Sequence, residues 1–308
     1  MNLHCILGSG GAVANALVPT LLDAGIALRL VARNPQTVPG TEAKRADLTD
    51  LAATKEAVKG CSVAYLVVGL PYDSLIWAEK WPKMISNVIE ACSEVGCRLV
   101  FFDNVYMYGL VEGPMTEETP FKPISRKGEI RARIAEQLLE SMAKGKVNAL
   151  IARCADFYGP TGGATSLPNL LVFEKLAKGK PAQWIGSSDQ VHSYTYLPDA
   201  VQALYRLGQS ESSFGQTWHL PTSDHPLTGR EFVHRAAWEL GAADRFQVLS
   251  RLMMSVVGLF DRTVKEALEI AYQSEKPYEF SSMKFDKAFQ FHPTPYEEGI
   301  RQTALAYR

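Results

Sequence analysis

The chain has 308 residues, enough for one large α/β unit or a large domain with a smaller companion. A net charge of −1, with acidic and basic residues interspersed, excludes a broad field that would gather nucleic acid or an anionic membrane surface. Five cysteines (Cys5, Cys61, Cys92, Cys97 and Cys154) are an odd number without a C-x-x-C pair, which argues against a disulfide framework or zinc site and for reduced thiols in a cytoplasmic protein.

Residues 3–7 form a short apolar strand, without the pattern of a secretory leader. Helical spacing follows over 13–24 and stops at Gly25. A second strand covers 27–31, a third 43–46, and a helix 49–58 with Asp47 as its N-cap. The unbroken apolar run 63–68 is a strand buried on both faces. A long amphipathic helix at 77–95 ends at Gly96. Strand 98–102, helix 130–143 and strand 147–152 complete the alternation.

This βαβ rhythm specifies a parallel, doubly wound sheet with helices on both faces. It breaks near Tyr158, where 159–168 is rich in Gly, Pro and Thr and forms a loop. The apolar segment 252–260 is far shorter than the roughly 20 residues that span a bilayer, so no membrane span is expected. It reads as a buried helix or a wall of a substrate pocket. No histidine pattern has metal-ligand spacing, and no nucleophile elbow is present.

The strongest motif is Gly8-Ser9-Gly10-Gly11-Ala12-Val13-Ala14, directly after the first strand. Such a turn lets a pyrophosphate approach the backbone, and the following helix offers its free N–H groups. Gly8, Gly10, Gly11, Ala12 and Val13 are therefore cofactor-binding candidates. The second strand runs into Arg33, where an NAD-preferring domain carries an acidic residue for the ribose diol. Arg33 suits a 2′-phosphate, so NADP(H) is expected in preference to NAD(H). Residues 1–157 thus read as a Rossmann-type NADP(H)-binding domain. Residues 158–308 read mostly as a smaller substrate-binding region, with 191–207 returning to the first.

The spacing Gly8, Gly11, Ala14 resembles that of extended short-chain dehydrogenases/reductases, the group holding the NAD-dependent epimerases and dehydratases. Val105 to Gly109, Glu118-Thr119-Pro120 with Pro123, Arg153 through Pro160, Tyr194 to Asp199, and Phe291, Pro293 and Pro295 resemble that family's later segments in the same order. The resemblance implies adenine contact at Asp47 and Leu48, cofactor backbone contact at Gly69, and a homodimer through helices 77–95 and 130–143.

Departures from the family pattern fall on the chemistry. Asn104 stands where members carry Ser or Thr. Gly128 and Ala132 stand at the positions of the Tyr-x-x-x-Lys pair that exchanges a proton. Asn104 can polarise a carbonyl. Tyr108, Tyr106 and Lys127 are substitute proton donors, while Lys127 and Arg131, with Arg133, otherwise read as a solvated helix face. His192 replaces an arginine that meets sugar-nucleotide phosphate, and Asp156 replaces the Asn of the Y-G-P segment; both are substrate candidates. The expected function is an atypical NADP(H)-dependent oxidoreductase acting on an unknown small carbonyl or alcohol. The alternatives are a non-catalytic NADP(H)-binding regulator or redox sensor, and a sugar epimerase or dehydratase.

Overall fold

The computed structural model describes residues 3–308. The chain forms two compact units. The first takes residues up to 107, 127–153 and 201–218, and the second takes 108–126, 154–200 and 219–308. The first unit thus gives up 108–126 and takes back 201–218, where the sequence pattern set one boundary after 157 and a return at 191–207.

The first unit is built on β1 (Leu3–Leu7), β2 (Ala27–Ala32), β3 (Thr41–Arg45), β4 (Val63–Leu66), β5 (Arg98–Asp103) and β6 (Ala149–Arg153). Their spatial order is β3-β2-β1-β4-β5-β6, with Thr217–His219 beyond β6. The pairs from β3 through β6 are parallel, Cys5 lying between Arg29 and Ala64. Every residue of β4 and β6 is buried, as strands covered on both faces require. Strand order runs one way from β1 to β3 and the other way from β4 to β6. The reversal leaves a crevice at the carboxyl ends of β1 and β4.

The helices are α1 (Ala12–Asp23), α2 (Leu51–Val58), α3 (Ser74–Val95) and α4 (Arg126–Ala143). Asp73 caps α3 by accepting from the N–H groups of Leu75 and Ile76, and Gly96 closes it in the left-handed conformation. Asp50, not Asp47, caps α2. Asp47 instead accepts from the Thr49 N–H and hydroxyl. The ladder of β4 stops at Leu66, short of the end of the apolar run, and the chain beyond it passes against the glycine turn.

The second unit packs an aromatic core of Tyr158, Phe173, Trp184, Tyr194, Phe232 and Tyr296. Its helix Gly229–Leu240 begins with a reciprocal cap between Thr228 and Glu231. Segment 252–260 is not a buried helix. Helix Arg251–Val257 turns only Met254 inward, and Leu252, Leu259 and Phe260 are 76%, 79% and 89% exposed. An apolar run does not reveal which neighbour will cover it. A cavity of about 810 Å³ lies elsewhere in this unit, among Thr222, Asp224, Arg235, Phe280, Asp286 and Phe291. Among the described residues, no helix is long and apolar enough to cross a membrane.

Phe232 is fully buried against Tyr158, Phe173, Trp184 and Tyr194. Phe232→Ala is expected to cost about 3–5 kcal/mol, read as a lowered midpoint in chemical denaturation followed by tryptophan fluorescence.

Candidate active site

The glycine turn joins β1 to α1 at the switch-point crevice. Gly8 has φ +108° and Gly10 φ +93°, a region that L side chains rarely adopt. A Cβ on Gly8 would lie 2.7 Å from the Val68 Cα, so the two backbones approach as closely as a missing side chain allows. The Gly8 and Ser9 N–H groups both donate to the Val31 carbonyl, fixing the turn against β2. Gly11 is the N-cap of α1 and supplies no side-chain acceptor to the first N–H groups. The Ser9 hydroxyl is buried without a hydrogen-bond partner among the described residues. The helix-start amides of Ala12 and Val13, the orphan Ser9 hydroxyl and the three glycines of the turn fit the pyrophosphate of a dinucleotide.

Arg33 is exposed just past β2. Asp47 is held below the usual carboxylate range, first by the hydrogen bonds from Thr49 and then by the charges of Arg33 and Lys80. Two cations therefore stand within electrostatic reach of one exposed turn. Leu48 is buried, and its carbonyl accepts from Asn87 Nδ2 at 2.9 Å. Gly69 is exposed beyond β4, in open space.

At the carboxyl end of β5, Asn104 is half-buried, and its Oδ1 accepts from the Tyr106 N–H at 3.1 Å. That bond leaves the Nδ2 amide as its donor. Lys127 and Arg131 are not on a solvated face: they are 0% and 3% exposed, whereas Arg133 is exposed. Arg131 donates through Nε and Nη2 to one oxygen of Asp103, and Arg153 Nε lies 3.8 Å from the other. The Arg131 guanidinium also sits over Trp81, 4.5 Å from the ring centroid. Sequence periodicity placed these cations outside because it cannot see a buried carboxylate on another element. Asp103, a lone acid closing an apolar strand, was the available signal.

In the second unit, the Tyr108 hydroxyl lies 2.8 Å from His219 Nε2. His219 Nδ1 is 2.9 Å from the Ser281 carbonyl, which can only accept, so Nδ1 carries a proton and donates to it. Tyr108 is 1% exposed, packed inside the unit rather than presented at a surface. His192 is stacked between Tyr194 and Tyr278, its Nε2 3.1 Å from Asp156. Asp156 keeps 26% of its side chain exposed, so it is the accessible member of that pair. Among the described residues, no group of three or more His, Cys, Asp or Glu is arranged to hold a metal ion.

A glycine turn at the switch point of a parallel sheet defines a dinucleotide-binding α/β protein. The model of the NAD dependent epimerase/dehydratase family matches residues 4–219, and the chain belongs to that family. Cinnamoyl-CoA reductase 1 of Petunia hybrida is 24% identical over 325 residues, covering 97% of this chain and 90% of that protein. The UDP-glucose 4-epimerase of Thermus thermophilus, solved with NAD, superposes with a TM-score of 0.81 at 19% identity, covering 99% of this chain and 98% of that one. The dTDP-glucose 4,6-dehydratase of Bacillus anthracis str. Ames, also with NAD, gives 0.83 at 16%, covering 100% and 96%. At such identities the structural likeness is one of fold.

Removing one partner of a buried ion pair strands the other in low dielectric. Arg131→Met is expected to lower stability by about 3–5 kcal/mol, measured by urea denaturation.

Proposed function

We propose that this chain is an oxidoreductase that binds NADP(H) in preference to NAD(H) and interconverts a small carbonyl compound and its alcohol. Arg33 is the observation that carries the cofactor preference. It is an exposed guanidinium just past β2, with Lys80 near the same turn, where an acidic side chain would serve a ribose diol. The amides of Ala12 and Val13 and the Ser9 hydroxyl would hold the pyrophosphate. When bound, the nicotinamide supplies or accepts the hydride. Asn104 would donate through Nδ2 to the substrate oxygen and polarise the carbonyl.

Two features favour a small carbonyl over a sugar nucleotide. His192 occupies the position where the family resemblance expects a phosphate-binding arginine, and its ring is committed to Asp156 and two tyrosines. The curated relative named above is a reductase. Five buried free cysteines suit a reducing cytoplasm.

One observation favours the second reading, a binder without turnover. Tyr108 is spent on His219 and Arg131 on Asp103, while Gly128 and Ala132 carry no proton to exchange.

Cofactor-stripped protein titrated with NADPH and NADH should bind NADPH more tightly. A charge-assisted hydrogen bond is worth about 1.5–3 kcal/mol, so Arg33→Ala should weaken NADPH roughly ten- to a hundredfold and leave NADH unchanged. Equal affinity for both nucleotides, unaltered in Arg33→Ala, would remove the NADP(H) preference. A carbonyl panel without turnover would favour the non-catalytic reading.

A further inference from the structure

We propose that Tyr72 is the proton donor of the site and that Lys127 tunes it, a tyrosine–lysine pair assembled from two separate elements. It rests on the oxidoreductase reading above, whose missing part is a group that gives a proton to the substrate oxygen.

Tyr72 lies between β4 and α3, beyond the carboxyl end of β4 and thus on the crevice edge of the sheet. Lys127 is in the first turn of α4, and its Nζ sits over the Tyr72 ring, 4.4 Å from the centroid. The Tyr72 hydroxyl donates to the Tyr106 hydroxyl at 3.5 Å. Tyr72 is half-buried, whereas Lys127 is fully buried, so Tyr72 is the more exposed of the two.

The phenol is also held in place. Trp77 packs edge-on against Tyr72 and stacks on Tyr106, with rings 10° from parallel. Trp77 Nε1 donates to the Pro71 carbonyl at 2.9 Å, tying the aromatic bracket to the turn that carries Tyr72. Rotation of the phenol would break this packing.

A cation beside a phenol favours the phenolate. Lys127 is the cation that faces Tyr72 from α4, and Tyr106 is the titratable group that faces it from beyond β5. Asp73, on Tyr72's own segment, opposes Lys127, but its carboxylate accepts from the Leu75 and Ile76 N–H groups. As hydride bonds to the carbonyl carbon, the C=O π pair moves to oxygen and the Tyr72 O–H proton passes to it. The phenolate left behind is stabilised by Lys127 and regains its proton from water. Alcohol oxidation runs the same transfers in reverse. Lys127 is a positioning residue here, acting through Tyr72.

The test follows the Cζ signals of isotope-labelled tyrosine by NMR against pH, with Tyr72 assigned by its loss in Tyr72→Phe. The expected midpoint for Tyr72 lies below the about 10 of a free tyrosine, and Lys127→Met raises it. A Tyr72 midpoint at or above about 10 overturns the proposal, even if Lys127→Met does not fold. So does a folded Lys127→Met with an unmoved midpoint.

In the carbonyl panel, Tyr72→Phe should bind NADPH as the wild type does and lose turnover by roughly a hundredfold or more. Retained turnover overturns the proposal. Failure of the wild-type protein to bind either nucleotide would sink the oxidoreductase reading instead, which the Tyr72 titration does not measure.

Discussion

Gly8 has no side chain, and the backbone of Val68 stands where one would begin. Much of the first unit's arrangement depends on that approach. It brings the turn after β1 against the chain leaving β4, at the place where strand order reverses. The Val67 N–H still donates to the Leu7 carbonyl, and Val68 then lies against Gly8. A methyl group at Gly8 would push the two strands' connections apart and would be strained at φ +108°. The turn that the missing side chain permits is fixed against β2 by the Gly8 and Ser9 N–H groups, which both donate to the Val31 carbonyl.

A second constraint sits two strands away. Asp103 ends β5 in the interior, and such a carboxylate is tolerated only with close cationic partners. Arg131 and Arg153 supply them from α4 and β6. Arg131 thereby fixes α4 against β5, and the aromatic rings beside it continue toward Tyr72 and Tyr106. Lys127, one turn before Arg131 on α4, is carried to the Tyr72 ring by that anchoring. The packing therefore leads from a buried ion pair to the ring of Tyr72.

The parallel sheet was legible in the sequence because β1, β2, β4 and β5 are short, mostly apolar runs alternating with helical segments, and the glycine turn because it directly follows the first of them; β3, Thr41-Glu42-Ala43-Lys44-Arg45, carries no such run. Helix ends were less legible. Asp47 and Asp50 both precede α2, and only geometry shows which carboxylate reaches the helix amides. The burial of Lys127 and Arg131 was invisible because it depends on Asp103 and on aromatic rings of other elements. Segment 252–260 misled for the opposite reason: its apolar residues are real, but Phe260 and Leu259 face outward. Tyr72 went unread because a tyrosine in a connecting loop carries no local signature. Its meaning appears only when α4 brings a lysine to its ring.

The turn after β1 is proposed to seat a dinucleotide whose 2′-phosphate meets Arg33. Amide NMR of the labelled, nucleotide-free protein during addition of NADP+ tests it most directly. The largest shifts are expected at residues 9–13 and at Arg33, with NAD+ perturbing the turn but not Arg33. Shifts confined to the second unit, around Asp286 and Phe280, would contradict it and place the nucleotide elsewhere.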